Sequence, residues 1–188
     1  SNKHQNLGRD YDRAIRRLDD LGVMINGSFV FGLDGDGPDV FSRTVDWAVS
    51  QGITTATFHI ATPYPGTAFY NEMEQAGRIL HSDWRAYDTR TVVFEPKGMT
   101  REQLKSGYDR AYQDFYSWKK IARGSRSHAS WARSAKHFAY SGGWKKLEPA
   151  WDHIIRNKRL LQMRPILESV LSTVDVVRSP RLQNREVA

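Results

Sequence analysis

Gly22-Val23-Met24-Ile25-Asn26-Gly27-Ser28-Phe29-Val30-Phe31-Gly32 is the stretch on which the fold turns. Between its flanking glycines, Val23 to Phe31 is a run of Val, Met, Ile and Phe broken only by Asn26, Gly27 and Ser28, which is the composition of a β-strand. Near-continuous apolarity predicts burial on both faces, as in a parallel sheet covered by helices. Upstream, Asp10 can cap a helix whose apolar residues Tyr11, Ala14, Ile15, Leu18 and Leu21 keep helical spacing, and Gly22 ends it. Downstream, the polar turn Asp34 to Asp39 leads through Pro38 into a second helix marked by Val40, Phe41, Val45, Trp47, Ala48 and Val49, which stops at Gly52.

The unit then repeats. Ile53 to Ile60 is a strand of β-branched and aromatic residues, Ala61 to Thr67 a loop, and a helix through Phe69, Tyr70 and Met73 ends at Gly77. A third short strand, Thr91 to Phe94, is stopped by Pro96. Alternating strands and helices require right-handed crossovers and a mostly parallel sheet. A closed (β/α) barrel takes eight strands and about 250 residues, so three strands make at most part of one. The expected fold is α/β: a partial (β/α) barrel of parallel strands over residues 1–98, then an all-helical C-terminal domain over residues 99–188.

That second region opens at Thr100 to Gln103 with a capping-box pattern. Leu104, Tyr108, Ala111, Tyr112, Phe115, Trp118 and Ile121 mark one face of a helix that Gly124 ends. Further helices are expected over Ala129 to Tyr140, Lys146 to Leu161 and Pro165 to Val177, separated by Gly142-Gly143 and Pro165, with a frayed tail after Arg178.

Composition limits the chemistry. With 39% apolar residues, six Trp, eight Tyr and eight Phe, the 188 residues can bury a core. No stretch approaches the roughly 20 apolar residues of a membrane span, and SNKHQNLGRD lacks the features of a signal peptide, so a soluble, cytoplasmic protein is expected. The chain contains no cysteine, which excludes disulfides, thiolate nucleophiles and any cysteine-held iron–sulfur cluster built by these residues alone. The net charge of +7 is uneven: residues 1–100 hold 10 basic and 13 acidic side chains, residues 101–188 hold 18 and 8. A solvated helical surface is the commoner reason for such a surplus. The alternative is a basic helical binding module, with Trp131, Trp144 and Trp151 among its cations, for nucleic acid or an anionic membrane.

Ligands gather at the C-terminal ends of parallel strands, which points to the loops after Phe31 and Ile60. Strand alternation puts Asn26 and Ser28 opposite the apolar face that outer helices require, and Thr55, Thr57 and His59 opposite Ala56, Phe58 and Ile60. These polar side chains therefore point inward, where they must bond each other or a ligand. The acidic turn Asp34, Asp36, Asp39 is no calcium loop, because Val45 stands where the bidentate Glu belongs. His59 has no His, Asp or Glu at short ligand spacing, so no metal site is expected.

Several motifs occur in order over roughly residues 1–123: Asn2-Lys3-His4-Gln5-Asn6, Tyr11, Gly22 through Asp34, Thr44-Val45-Asp46-Trp47-Ala48, Thr62-Pro63-Tyr64-Pro65-Gly66-Thr67, Gly77-Arg78-Ile79-Leu80 and Asp83-Trp84. Together they resemble the latter part of radical S-adenosylmethionine proteins of the type that carries an N-terminal cobalamin-binding domain. The resemblance implies a larger parent: a cobalamin domain, a TIM-type barrel whose early loop holds three cysteines on a [4Fe–4S] cluster, then this segment. In such enzymes the cluster reductively cleaves S-adenosylmethionine to a 5′-deoxyadenosyl radical that abstracts hydrogen from substrate. The implied parent is a methyltransferase or another enzyme modifying an unactivated carbon, acting on a small-molecule or lipid-like substrate rather than nucleic acid. This fragment would be inactive alone and would hold none of the cofactors fully, the missing half coming from the same or a separate chain. Asn26, Gly27, Ser28, His59, Ile60 and Thr62 are then the cofactor-side residues and Asp34, Pro63 and Tyr64 the substrate-pocket residues, none of them an acid–base catalyst. The family's adenine-binding strand often ends in a polar residue, and here Val30 and Phe31 depart from that.

Overall fold

The computed structural model describes residues 11–156, with side chains through Leu147. The chain divides into two compact units, Ser1–Trp144 and Lys145–Ala188, and the first carries the sheet. In chain order the elements are α1 (Tyr11–Asp20), β1 (Asn26–Phe31), α2 (Val40–Ser50), β2 (Thr55–Ile60), α3 (Ala68–Gln75), a 3-10 turn (Trp84–Ala86), α4 (Arg101–Phe115), α5 (Trp118–Ser125) and α6 (Trp131–Arg156). This is an α/β arrangement with a two-stranded parallel sheet. The helices expected around Pro165 to Val177 and the tail after Arg178 lie outside the described residues.

The chain enters each strand through a glycine-terminated helix. After α1, Gly22 takes φ +74°, its N–H donates to Asp19 O, and the Val23 N–H donates to Leu18 O. After α2, Gly52 at φ +69° repeats this arrangement, with its own N–H on Val49 O and the Ile53 N–H on Ala48 O. These paired bonds satisfy carbonyls the helix leaves open, and only glycine adopts the left-handed backbone without steric cost.

β1 and β2 pair in register from Asn26 opposite Thr55 to Phe31 opposite Ile60. One face of the pair is apolar: Phe31, Ala56, Phe58 and Ile60 are buried, and the Phe29, Phe31 and Phe58 rings stack against one another. Phe41, Val45, Ala48 and Val49 of α2 and Leu104, Tyr108, Ala111 and Phe115 of α4 cover it. Within this core α4 reaches α2 closely, since a Cβ on Gly107 would stand 2.2 Å from the Phe41 ring. The other face, with Asn26, Ser28 and Val30 beside Thr55, Thr57 and His59, is open. β1 is therefore covered on one side only among the described residues, where its composition predicts burial on both.

The two sheet edges differ. In a parallel pair alternate residues of each strand turn their N–H and C=O groups away from the partner strand. On β2 these are Ala56, Phe58 and Ile60, and each has a partner. The Tyr116 hydroxyl accepts from the Ala56 N–H at 3.1 Å and donates to its C=O at 3.0 Å, and the Tyr112 hydroxyl does the same for Phe58 at 3.1 and 3.3 Å. The Ile60 N–H donates to Thr89 O at 2.7 Å. On β1 the outward groups belong to Asn26, Ser28 and Val30, which have no partner among the described residues.

Three elements differ from the sequence reading. Thr91 to Phe94 forms only an antiparallel bridge, Phe94 opposite Ile79, with Phe94 packed among Ala61, Phe69 and Met73 while Val92 turns to the core beneath the sheet. The single helix expected from Thr100 to Gly124 breaks into α4 and α5: Tyr116 turns inward to β2, and Ser117 starts a new helix by accepting from the Lys120 N–H. α6 continues through Gly142-Gly143, where a break was expected; a Cβ on Gly142 would stand 3.2 Å from the Trp118 ring, so the glycine admits a neighbour without breaking the helix. Leading residues of α6 anchor to the N-terminal end of the sheet. Ser141 donates to Thr54 O at 2.6 Å, His137 Nδ1 lies 2.8 Å from His128 Nε2, and His128 Nδ1 lies 2.6 Å from Asp19, which also binds Arg133.

Removing one phenol tests the sealed edge. Tyr116→Phe leaves the buried Ala56 amide and carbonyl unpaired and should cost about 1–3 kcal/mol in urea unfolding; an unchanged midpoint would mean that the bond contributes nothing. His137 gives a pH signature. Its burial, with the His128 ring beside it, lowers its pKa from 6.5 to about 4 despite the opposing pull of Asp19. The unfolded chain therefore takes up a proton near pH 6.5 that the folded chain refuses until about pH 4, so stability is full above that window and falls as the pH drops through it. His137→Gln should flatten that decline in unfolding midpoints measured from pH 7 to 4.

Candidate functional site

The strands present their C-terminal ends to three segments: the turn after β1, the loop after β2, and residues 78–95. Each is held by named bonds. In the first, the Asp36 carboxylate accepts from the Gly32 and Leu33 N–H groups at 2.9 and 3.0 Å, and a Cβ on Gly98 would stand 2.1 Å from Asp36 O. Asp39 stands at the N-cap of α2 but makes no capping bond; its carboxylate goes to Arg43.

Asp34, read from sequence as a pocket residue, is a tie between segments. Its two oxygens take a bidentate fork from Arg78 at 2.7 and 3.0 Å, and Lys97 reaches the same carboxylate at 2.9 Å. Arg78 also donates from Nε to Glu95 O at 2.7 Å and lies over the Phe94 ring. The Arg78 bond, with help from Lys97 and against partial burial, holds the Asp34 carboxyl down at about 2. Planar guanidinium on carboxylate is the geometry that fixes a loop.

The loop after β2 is equally tied. Thr62 donates to Ile60 O at 3.0 Å, and the Tyr64 hydroxyl donates to Tyr87 O at 3.1 Å while its ring stays exposed. Pro63 is buried. The Thr67 side chain caps α3 by accepting from the Tyr70 N–H. The Trp84 and Tyr87 rings lie 4.9 Å apart at a 58° tilt, and Trp84 approaches Tyr70, building an aromatic ledge near Tyr64, whose hydroxyl donates to Tyr87 O.

The sequence-assigned residues therefore separate. Asn26, Ser28 and His59 share the open face, with Thr55 and Thr57 between them. Gly27 and Ile60 lie on the helix-covered face: the Ile60 side chain is buried, and a Cβ on Gly27 would stand 2.7 Å from the Phe29 ring. Gly27 is thus a packing requirement. Thr62, Pro63 and Tyr64 form the rim. Burial, with Arg90 adding to it, lowers the His59 pKa, and its Nδ1 lies 3.1 Å from the Thr89 hydroxyl. Sequence reasoning missed Arg78, Asp88 and Thr89 as organising residues. The signal for the last two was the Asp-Thr-Arg triplet, in which Asp88 accepts from the Arg90 and Thr91 N–H groups at 2.9 and 2.8 Å. Among the described residues there is no cluster of three or more His, Asp or Glu that could hold a metal ion, and no helix is long and apolar enough to cross a membrane.

No family model matches the chain. Among curated proteins it is similar to the bacteriochlorophyllide d C-12(1)-methyltransferase of Chlorobaculum tepidum, 32% identical over 122 residues, which is 65% of this chain and 26% of that protein. The bacteriochlorophyllide d C-8(2)-methyltransferase of the same organism is 31% identical over 123 residues, 63% of this chain and 26% of the relative. The anaerobic magnesium-protoporphyrin IX monomethyl ester cyclase of Cereibacter sphaeroides is 27% identical over 108 residues, 57% of this chain and 17% of the relative. The match thus spans about a quarter or less of these relatives' length.

Asp34→Asn should remove the fork on Arg78, and hydrogen exchange of the Gly32–Gly37 amides should accelerate about tenfold or more, the equivalent of roughly 1.4 kcal/mol of local opening. The stabilisation from this carboxylate is present above its ordinary pKa of 3.8 and disappears as the pH falls towards 2, so the variant and the parent should converge in acid.

Proposed function

We propose that this chain is the C-terminal portion of a radical S-adenosylmethionine enzyme that methylates or otherwise modifies an unactivated carbon, its remaining barrel strands lying in sequence outside these residues. The observation that carries the reading is the asymmetry of the sheet. β2 is sealed by Tyr112, Tyr116 and Thr89, while β1 has open donors and acceptors at Asn26, Ser28 and Val30, so a preceding parallel strand has one edge to join. The relatives support it by name, as methyltransferases and a cyclase, and by length, since the match covers 17–26% of them. Their names also favour a tetrapyrrole or similar planar macrocycle as the substrate class.

The residues present fit the cofactors unequally. An iron–sulfur cluster does not fit them, because the chain contains no cysteine, and no step is assigned through one. Cobalamin belongs to the same outside portion in this reading. S-adenosylmethionine fits the open face better: Asn26, Ser28, Thr55, Thr57 and His59 offer donors and acceptors for a nucleoside, and Tyr64 and Trp84 stand on the rim towards substrate. When bound it supplies an adenosyl group for hydrogen abstraction. The chain's own side chains bind and orient; none has the position of an acid–base catalyst.

Extending the chain upstream to the length of its relatives tests this. The reconstituted, reduced protein should release 5′-deoxyadenosine, and Ser28→Ala or His59→Ala should lower that rate about tenfold, the loss of one hydrogen bond, with far-ultraviolet circular dichroism unchanged. Parent rates in both variants would remove the site assignment. Val30→Pro deletes an N–H that faces away from β2, so it should leave this chain folded and block its association with the upstream segment supplied separately. Association at parent affinity would refute docking at β1.

A further inference from the structure

We infer that Thr89 is the positioning residue for His59, clamping the imidazole by Nδ1 so that Nε2 is delivered to the open face of the sheet. The inference deepens the site proposed above and rests on that reading only for what Nε2 then meets.

Three observations converge on Thr89. First, it is the sole described residue other than glycine at positive φ, +63°. For a β-branched residue this backbone is strained, and it persists only where neighbours impose it. Second, the neighbours do impose it. Asp88 accepts from the Arg90 and Thr91 N–H groups, which tightens the turn around Thr89, and the Thr89 carbonyl accepts from the Ile60 N–H at the last rung of β2. The Tyr64 hydroxyl on Tyr87 O fixes the segment that leads from the 3-10 turn into Thr89. Third, the result is specific: the Thr89 hydroxyl stands 3.1 Å from His59 Nδ1.

A glycine would hold this turn with less strain but has no side chain to reach the ring. The conformation provides two contacts to β2 together: the Thr89 carbonyl on the Ile60 N–H and the Thr89 hydroxyl on His59 Nδ1. His59 is the only imidazole among the described residues on the open face, opposite Val30 across the sheet. Burial and Arg90 both lower its pKa, so it is neutral at pH 7 and one ring nitrogen bears the proton. The Thr89 hydroxyl can donate to Nδ1 or accept from it, so the bond fixes the orientation of the ring in either tautomer and leaves Nε2 for a ligand.

The test uses this chain and needs no cofactor. Nitrogen-15 shifts of the His59 ring, followed from pH 8 to 5, should report a hydrogen-bonded Nδ1 and a depressed pKa in the parent. Thr89→Gly keeps the left-handed turn and removes the hydroxyl. It should retain the thermal midpoint or raise it, while the Nδ1 shift moves to that of a ring without this bond. Thr89→Val removes the hydroxyl with the β-branch kept and should give the same spectral change, and Thr89→Ser should restore the parent spectrum. Parent ring shifts in both Thr89→Gly and Thr89→Val would overturn the proposal. Because this readout concerns His59 alone, it fails independently of S-adenosylmethionine cleavage, which decides the reading of the site.

Discussion

Two phenols, Tyr112 in the last turn of α4 and Tyr116 at its C-cap, decide what this sheet can be. A parallel strand needs partners on both edges, and the outward groups of β2 recur every second residue, about 6.6 Å along the strand. Residues four apart on a helix advance about 6.0 Å. Tyr112 and Tyr116 therefore meet Phe58 and Ala56 almost in step, and because a phenol both donates and accepts, each satisfies an N–H and a C=O together. The helix stands in for the next strand. Among the described residues β2 has a finished edge and β1 an open one, and α4 belongs to the same core as the strand it seals.

That seal also separates two ends of the fold by task. At the N-terminal end, the chain Asp19–His128–His137 and the Ser141 bond to Thr54 fasten the start of α6 beneath the strands. The groups there are buried and paired, and their chemistry is structural. At the C-terminal end, the fork between Asp34 and Arg78 and the turn at Thr89 hold loops whose outer residues, Tyr64 and Trp84, stay exposed. Rigid ties beneath exposed aromatic and polar groups are the usual construction of a ligand rim.

The α/β order, α1 to α3 and the two faces of the strands were legible from period and punctuation alone. Gly22 and Gly52 mark helix ends whichever partner follows, and alternation in Thr55 to Ile60 assigns faces without knowledge of the core. What stayed hidden depends on contacts distant in sequence. Tyr108 and Tyr112 read as part of an apolar helix face that does not include Tyr116, since nothing local says that the Tyr112 and Tyr116 hydroxyls reach a strand edge more than 50 residues away. The break at Tyr116 followed from that same contact, and Ser117 became recognisable as a cap only once the helix had a reason to stop. Asp34 carried the signature of a loop carboxylate and turned out to be spent on Arg78 and Lys97. Gly142-Gly143 read as punctuation, whereas the helix continues there because glycine makes room for Trp118.

The open face has no cover among the described residues. Val30 stands exposed there beside Asn26, Ser28, Thr55 and Thr57, of which Thr57 donates to Gly27 O at 3.5 Å, so the face is neither a core nor a uniformly polar surface. That changes if a further strand joins β1 and a curved sheet closes over the face: the outward amides of β1 gain a ladder, Val30 gains burial, and the hydroxyls and imidazole line a lumen. The open edge of β1 and the finished edge of β2 are what the proposed docking at β1 rests on. The ties around Asp34 and Thr89 hold the loops beside that face with bonds made within this chain.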